Sequence, residues 1–241
     1  MGTNKQLIIE IKSITKKFKN VIAIDNISLN INNSEIVGIV GNNGAGKTTL
    51  LRLILDLLKP DGGIILSKNK NVYQSDHWKK YTGAFLDEHF VIDFLTSSEF
   101  LNLTGQLRGI SKEEIRYNIN EFESFMNGEI MDNNKLIRNL SSGNKQKVGI
   151  ISSLLFAAEI VILDEPFNYI DPSSQIILLK LLKKYVEDKK ALMIISSHNL
   201  QYVTELCTRI ILLEKGQVKY DIINNEDDLP IIKDYFNRKA T

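Results

Sequence analysis

The stretch GNNGAGKTT at positions 41–49 has the residue types and the spacing of a phosphate-binding loop. It follows the apolar run IVGIV and precedes a segment with helical periodicity. Glycines let successive backbone N–H groups point at phosphate oxygens, and the start of a helix adds a positive dipole. Lys47 is expected to reach the β- and γ-phosphates, and the Thr48 hydroxyl to ligate Mg²⁺. The residues predicted to contact the nucleotide are Gly41, Asn42, Asn43, Gly44, Ala45, Gly46, Lys47, Thr48 and Thr49.

Two acidic residues, Asp164 and Glu165, follow the apolar run IVIL. Asp164 can bind Mg²⁺ through water, and Glu165, beyond the end of the strand, can polarise an attacking water. Taken alone, a strand that ends in two solvated acids is usually a structural feature. The phosphate loop upstream favours the catalytic interpretation, so Asp164 is predicted as a metal ligand and Glu165 as a catalytic carboxylate.

His198 follows the apolar run ALMIISS. A single histidine is more often structural than catalytic. At the carboxyl end of a parallel strand, however, it lies where open α/β sheets hold their ligands, and a neutral imidazole can contact a γ-phosphate. His198 is therefore predicted as a site residue, whereas His77 and His89 are predicted to be surface residues.

A second turn suited to an anion lies at 139–147, NLSSGNKQK. Small polar residues there precede the apolar run VGIISSLLF, which predicts a loop that leads into a helix. One phosphate loop already serves this chain's own nucleotide, so the second turn is redundant in a monomer.

To bring these groups together, the fold needs strands that end side by side. Strands that are apolar on both faces and alternate with helices predict a parallel sheet covered on both sides. Alternating polarity at 7–11 and 27–31 predicts a small antiparallel β annex near the N-terminus. The other predicted elements are a helix at 48–58, a helical insert at about 90–140, a helix of about 13 residues after NLSSGNKQK, a helix at 173–186 and a final strand over RIILLEKGQV.

Composition limits the kinds of partner. The 241 residues include 30 Lys and Arg and 29 Asp and Glu, and a net charge of +1 gives no electrostatic reason to expect a nucleic acid. The single cysteine, Cys207, favours a reducing compartment. The apolar stretch LIIEI is too short for a signal peptide, and no run approaches the about 18 apolar residues of a membrane span. Any action at a membrane is therefore expected to occur through a partner.

In chain order, the motifs are an N-terminal aromatic, GNNGAGKT, the helical insert, LSSGNKQ, ILDEP, an Asp-Pro and a lone His. This order resembles the ATP-binding subunits of ABC transporters over about residues 6–225. The resemblance implies an α/β fold of the P-loop NTPase (RecA-like) type, with a parallel sheet, an N-terminal antiparallel β annex and a helical subdomain insert. Residues 226–241 are expected to form a short C-terminal tail, whose acidic start and amphipathic end are compatible with a short packed helix.

The resemblance also implies roles for residues outside the phosphate loop. Phe18 matches the aromatic that stacks on adenine, with a core position in the β annex as the alternative. Asp171 matches the acidic residue of a loop that crosses a dimer interface. Ser141, Gly143 and Asn144 match residues that, in a head-to-tail dimer, meet the γ-phosphate held by the other copy. The second anion-binding turn would then serve the nucleotide of the partner.

Two positions depart from the family pattern. The loop that enters the helical insert usually carries Gln, and here Asp87 is predicted to fill that position and to ligate Mg²⁺ at least through water, with Glu88 as the neighbouring alternative. The other departure is LSSGN in place of LSGGQ. Ser142 is expected to cost some backbone freedom, while Asn144 keeps an amide.

The function implied by the resemblance is ATP hydrolysis coupled to transport, with Lys47, Glu165 and His198 as catalytic residues and with ATP and Mg²⁺ as ligands. The expected partners are a second copy or a paralogous ATPase subunit, and an integral membrane transporter subunit. The expected location is the cytoplasm, on the inner face of the cell membrane. The variant signature and the acid at position 87 look most like subunits of exporters of drugs, bacteriocins or lantibiotics.

Two other functions remain open at the level of the sequence. The first is a non-transport ABC-type ATPase of translation or DNA repair, although such proteins carry a second ATPase domain or large additional domains. The second is a regulatory subunit that binds ATP without hydrolysing it, which the joint presence of Lys47, Glu165 and His198 disfavours.

Overall fold

A six-stranded sheet forms the centre of the fold in the computed structural model, which describes residues 6–131, 135–225 and 227–240. Its strands are β3 (Ile36–Val40), β6 (Thr82–Phe85), β7 (Ile160–Asp164), β8 (Leu192–Ser197), β9 (Arg209–Glu214) and β10 (Gln217–Ile223). The strand order is β10-β9-β3-β8-β7-β6, and all neighbours pair in parallel except β10, which is antiparallel to β9. The predicted parallel sheet is confirmed.

The central strands are buried on both faces, because every residue of β3, β7 and β8 is buried. Alternate residues of β8 therefore join different cores: Met193 and Ile195 belong to one hydrophobic cluster, and Leu192 and Ile194 to the other. The helices that cover the sheet are α1 (Lys47–Ile54) on one face, and α5 (Ser142–Leu154), α6 (Pro172–Lys189) and α7 (Leu200–Leu206) on the other.

The predicted β annex is a second, antiparallel sheet with the strands β1 (Leu7–Phe18), β2 (Val21–Asn32), β4 (Gly62–Ser67) and β5 (Lys70–Asn71). The strand order is β2-β1-β4-β5. Isoleucines of the annex pack in the same hydrophobic cluster as α1, so the annex covers the face of the central sheet on which α1 lies.

Helices occupy the region predicted as an insert: α2 (Ser97–Leu107), α3 (Lys112–Asn120) and α4 (Glu123–Met126). Thr96 and Glu99 form a capping box that starts α2, and Ser111 caps α3 through the N–H of Glu114. Residues 132–134 of the predicted insert lie outside the described residues.

Two predicted element boundaries were wrong. The run RIILLEKGQV is a hairpin and not one strand, since Lys215 and Gly216 both have positive φ and reverse the chain between β9 and β10. The helix predicted to reach Leu58 ends at Ile54, because Asp56 adopts a left-handed backbone with φ 50°.

The tail contains a helix, α8 (Leu229–Ala240), whose Ile232 is fully buried against the core. Glu226 and Thr241, the two ends of the predicted tail, lie outside the described residues, and the domain limits at 225 and 226 stay a prediction. None of the helices in the described part of the chain has the length and apolarity needed to span a bilayer.

Replacing Gly149 with Ala is expected to lower the free energy of unfolding by about 1–3 kcal/mol, because the core has no room for the added methyl group. An added Cβ at this position of α5 would lie 2.0 Å from the ring of Phe85, which is 1% exposed in β6. Unfolding in urea, followed by circular dichroism, measures the change.

The matched control is Gly62→Ala in β4, where the added Cβ would lie 3.8 Å from Cβ of Thr15, an ordinary van der Waals distance. No neighbour has to move at this position, so this variant is expected to lose less stability. A Gly149→Ala variant as stable as the wild type would contradict the packing of α5 on β6.

Candidate active site

The predicted phosphate loop connects β3 to α1. Gly41, Gly44 and Gly46 have φ of 156°, 80° and 108°, which residues with a side chain rarely adopt. An added Cβ at Gly46 would lie 2.6 Å from the carbonyl oxygen of Ala23. The first N–H groups of α1 have no carbonyl partner one turn earlier, so the loop and the helix start together offer donors to an anion.

Lys47 lies at the centre of this loop and is only 7% exposed. Its Nζ donates a hydrogen bond to the carbonyl oxygen of Gly41 at 2.8 Å and lies 3.5 Å from Oε1 of Glu165. The ammonium group is therefore held between the loop and the catalytic carboxylate predicted from the sequence.

Thr48 and Asp164 form the second part of the site. The Thr48 hydroxyl donates to Oδ2 of Asp164 at 2.6 Å, and the Ser196 hydroxyl donates to Oδ1. Burial raises the pKa of Asp164, and the hydrogen bonds from Ser196 and Thr48 oppose that rise. A hydroxyl and a buried carboxylate are oxygen ligands of the kind that Mg²⁺ prefers, and a divalent cation would offset the burial of the charge, so these residues fit a magnesium ion.

Glu165 follows Asp164 with a left-handed backbone, φ 46°, a conformation that costs an L-residue about 1–2 kcal/mol. Its N–H donates to both the hydroxyl and the carbonyl oxygen of Ser196, at 3.0 and 3.2 Å. Its carboxylate accepts the His198 N–H at 3.2 Å, and its Oε2 lies 2.9 Å from Nδ1 of His198. Gln146 of α5 donates to the Glu165 carbonyl at 3.1 Å.

The acidic loop at 87–88 lies near these residues but pairs with other groups. Asp87 accepts from Arg52 of α1 at 3.0 Å and from the N–H of His89 at 2.9 Å. Glu88 lies 3.4 Å from Nζ of Lys145 in α5. The predicted role of Asp87 as a metal ligand stays a prediction, although Asp87 lines one cavity of about 470 Å³ with Asp164 and Glu165.

The second anion-binding turn starts α5. Ser141 is the N-cap, and its hydroxyl accepts the Asn144 N–H at 3.2 Å. Ser142 is the first helical residue and has no positive φ, so the helical backbone accepts a serine there, and the expected cost in backbone freedom stays a prediction. Gly143 is more restricted, because an added Cβ would lie 2.5 Å from the carbonyl oxygen of Tyr169.

Four other predicted residues are exposed or half-buried. Phe18 ends β1 and is 45% exposed, so the alternative of a core position was wrong, while its contact with adenine stays a prediction. Thr49 is half-buried in the first turn of α1. His89 is exposed as predicted. His77 is half-buried, and its Nδ1 forms a hydrogen bond with the Ser75 hydroxyl.

Sequence reasoning missed Ser196, Gln146 and Arg52. Ser196 and Gln146 lie next to predicted motifs, in ISSH and NLSSGNKQK, but their contacts with the acids depend on strand register and helix orientation. The sequence contains no signal for the pairing of Arg52 with Asp87.

The site therefore brings together, at one edge of the sheet, the predicted phosphate loop, the hydrogen-bonded pair of Thr48 and Asp164, and the carboxylate predicted to polarise water. The family model described as ABC transporter matches residues 24–168. This chain belongs to the ABC transporter family. It is an ATP-binding subunit of a transport system and an ATPase, and subunits of this family form dimers and work with membrane subunits.

Individual relatives agree with this assignment. The ABC transporter ATP-binding protein NatA of Bacillus subtilis is 34% identical over 207 residues, which cover 85% of this chain and 83% of the relative. The methionine import ATP-binding protein MetN 2 of Bacillus cereus is 32% identical over 206 residues, which cover 83% of this chain and 60% of the relative. The dimeric, post-hydrolysis structure of the ATP-binding cassette MJ0796 with ADP and Pi matches with a TM-score of 0.80 and 26% identity, over 90% of this chain and 99% of that one.

Asp171, in the loop between β7 and α6, is the N-cap of α6 and accepts the Ser174 N–H at 2.9 Å. Hydrogen bonds from Ser173 and Ser174 hold its pKa well below the usual range. Replacing Asp171 with Ala is expected to lower the free energy of unfolding by about 1 kcal/mol at neutral pH, because α6 loses its cap. Urea unfolding at several pH values measures the change.

The pH dependence of that loss has a definite sign. The folded-state pKa is lower than the ordinary value of 3.8, so the charge stabilises the fold above that value and the contribution falls as the pH drops below it. The difference in the free energy of unfolding between wild type and Asp171→Ala should therefore become smaller in acid. Asp171→Asn keeps a capping oxygen and is expected to lose less stability; an equal loss in both variants would contradict the capping role.

Proposed function

We propose that this chain hydrolyses magnesium-bound ATP when two ATPase subunits close head to tail, and that closure drives a separate membrane subunit. The observation that carries the proposal is the joint placement of Lys47, Glu165 and His198, linked by contacts of 3.5 and 2.9 Å, beside the hydrogen-bonded pair of Thr48 and Asp164. An ATP-binding protein without turnover would have no need for this carboxylate and imidazole.

Each residue has a role that follows from its chemistry. The loop N–H groups and Lys47 bind the phosphates, and ATP would replace the Gly41 carbonyl as the partner of the Lys47 ammonium. Thr48 and Asp164 would hold Mg²⁺, with Asp87 as a further ligand, and the ion neutralises charge that develops on the phosphates. Glu165 accepts a hydrogen bond from the attacking water and orients it.

His198 and the β annex complete the proposed site. His198 is 54% exposed in its side chain while its Nδ1 faces Glu165, so the other ring nitrogen is available to a γ-phosphate. Phe18, exposed at the end of β1, presents a ring on which adenine can stack.

The signature turn is proposed to act on the nucleotide of the other subunit. Ser141 and Ser142 are exposed, and the N-terminus of α5 carries donors that suit a γ-phosphate. Ser141, Gly143 and Asn144 would supply these contacts across the interface. The dimeric structure of a relative, MJ0796, supports the formation of a dimer, and the choice between identical and paralogous subunits is left to experiment.

We further propose that the transporter is an exporter of a drug, bacteriocin or lantibiotic-like compound, with this subunit on the cytoplasmic face of the membrane. The support is the LSSGN signature and the acid at position 87. The proposed ATPase domain is 6–225, with the helical insert at about 90–140 and 226–241 as its tail.

Replacing Glu165 with Gln is expected to lower the rate of ATP hydrolysis by about 100-fold or more, because the amide cannot accept the proton of the attacking water. ATP affinity should persist, and an ATP-bound dimer should accumulate. Phosphate release and light scattering measure the two effects. The control is Glu159→Gln, an exposed carboxylate paired with Lys68, which should hydrolyse ATP at the wild-type rate. Normal turnover in Glu165→Gln would contradict the assignment.

The direction of transport can be tested in cells that lack the chromosomal copy of this chain. Cells complemented with Glu165→Gln should be more sensitive to drugs, bacteriocins or lantibiotics than cells complemented with wild type or Glu159→Gln, because extrusion stops without hydrolysis. Growth inhibition and labelled-methionine uptake are measured together. Unchanged sensitivity with a loss of methionine uptake would contradict export and favour import.

A further inference from the structure

Ser196 is a fully buried polar residue that contacts both acids of the site. It lies directly opposite Asp164 in the parallel pairing of β8 with β7 and is 0% exposed. A buried hydroxyl destabilises the fold unless it is hydrogen-bonded. Here the hydroxyl donates to Oδ1 of Asp164 and accepts the N–H of Glu165 at 3.0 Å. One oxygen atom therefore joins two consecutive acidic residues.

The direction of these hydrogen bonds is fixed by the partners. An ionised carboxylate only accepts and a backbone N–H only donates, so the hydroxyl has one arrangement that satisfies both. The other oxygen of Asp164 receives the Thr48 hydroxyl. Both oxygens of the Asp164 carboxylate therefore accept a hydrogen bond, one from Thr48 in α1 and the other from Ser196 in β8.

Ser196 also holds the unusual backbone of Glu165. The Glu165 N–H is shared between the hydroxyl and the carbonyl oxygen of Ser196, and its φ of 46° directs the side chain toward Lys47 and His198. An L-residue keeps such a conformation only when contacts with its surroundings hold the backbone in place. The two hydrogen bonds to Ser196 are among these contacts.

We propose that Ser196 is a positioning residue for ATP hydrolysis, whose hydroxyl sets the metal-ligating Asp164 and the catalytic Glu165 in their working orientation. The inference rests on the proposed function of the same site. Ser196 acts through these two residues and needs no contact with the nucleotide. A hydrogen-bond partner behind a metal ligand typically changes metal affinity or activity by about 10–100-fold.

The test compares wild type with Ser196→Ala in two measurements. Calorimetry gives the affinity for a β,γ-imido analogue of ATP with Mn²⁺ and with EDTA, and steady-state kinetics give kcat with ATP. The variant should bind the analogue in EDTA as wild type does, while the gain in affinity from Mn²⁺ and the kcat each fall by about tenfold or more. A purely structural role would change melting temperature without separating the two affinities.

Two further variants keep the outcome decisive. Ser153→Ala removes another buried serine hydroxyl, which donates to the Ile150 carbonyl in α5, and should leave both measurements unchanged. Ser196→Cys retains the size of the side chain with a weaker donor, and it decides the question if Ser196→Ala does not fold. The proposal is overturned if a folded Ser196 variant has the wild-type kcat and gains as much affinity for the ATP analogue from Mn²⁺ as wild type does. Failure of the wild type itself to hydrolyse ATP overturns the proposed function instead.

Discussion

Parallel pairing of β3, β8 and β7 is the constraint on which the site depends. Backbone hydrogen bonds hold Val40 opposite Ser197 and Ser196 opposite Asp164, so three strands end at one edge of the sheet. The phosphate loop starts directly after β3, Glu165 directly follows β7, and His198 directly follows β8. Backbone register therefore sets the separation of side chains that are far apart in sequence, and a slip of one residue would turn Asp164 to the opposite face.

The same edge concentrates charge where little water reaches. Lys47 and Asp164 are 7% and 6% exposed, and burial of an ion costs several kcal/mol unless partners compensate. The fold supplies part of that compensation through Gly41, Ser196 and Thr48. Nucleotide phosphates and a divalent cation would bring the opposite charges, so their binding would offset the cost of burying these two side chains. Electrostatics and strand geometry thus favour the same ligand.

Much of this arrangement could be predicted from the sequence, because the central strands are apolar on both faces and the GNNGAGKTT and ILDEP motifs carry local signals. The loop glycines, Thr48, Asp164 and Glu165 were found that way. Contacts between distant segments were not. Ser196 and Arg52 bind the acids through register and helix orientation, and the hairpin at Lys215 depends on a left-handed residue that apolar periodicity does not reveal.

The close approach of Gly143 to the Tyr169 carbonyl joins the start of α5 to the segment that follows Glu165. There is no side chain between the two backbones to absorb movement, and Gln146, one turn further along α5, holds the Glu165 carbonyl. A displacement of α5 would therefore be transmitted directly to the backbone of Glu165. In the proposed mechanism, a membrane subunit that moved this helix would thereby act on the residue proposed to orient the attacking water.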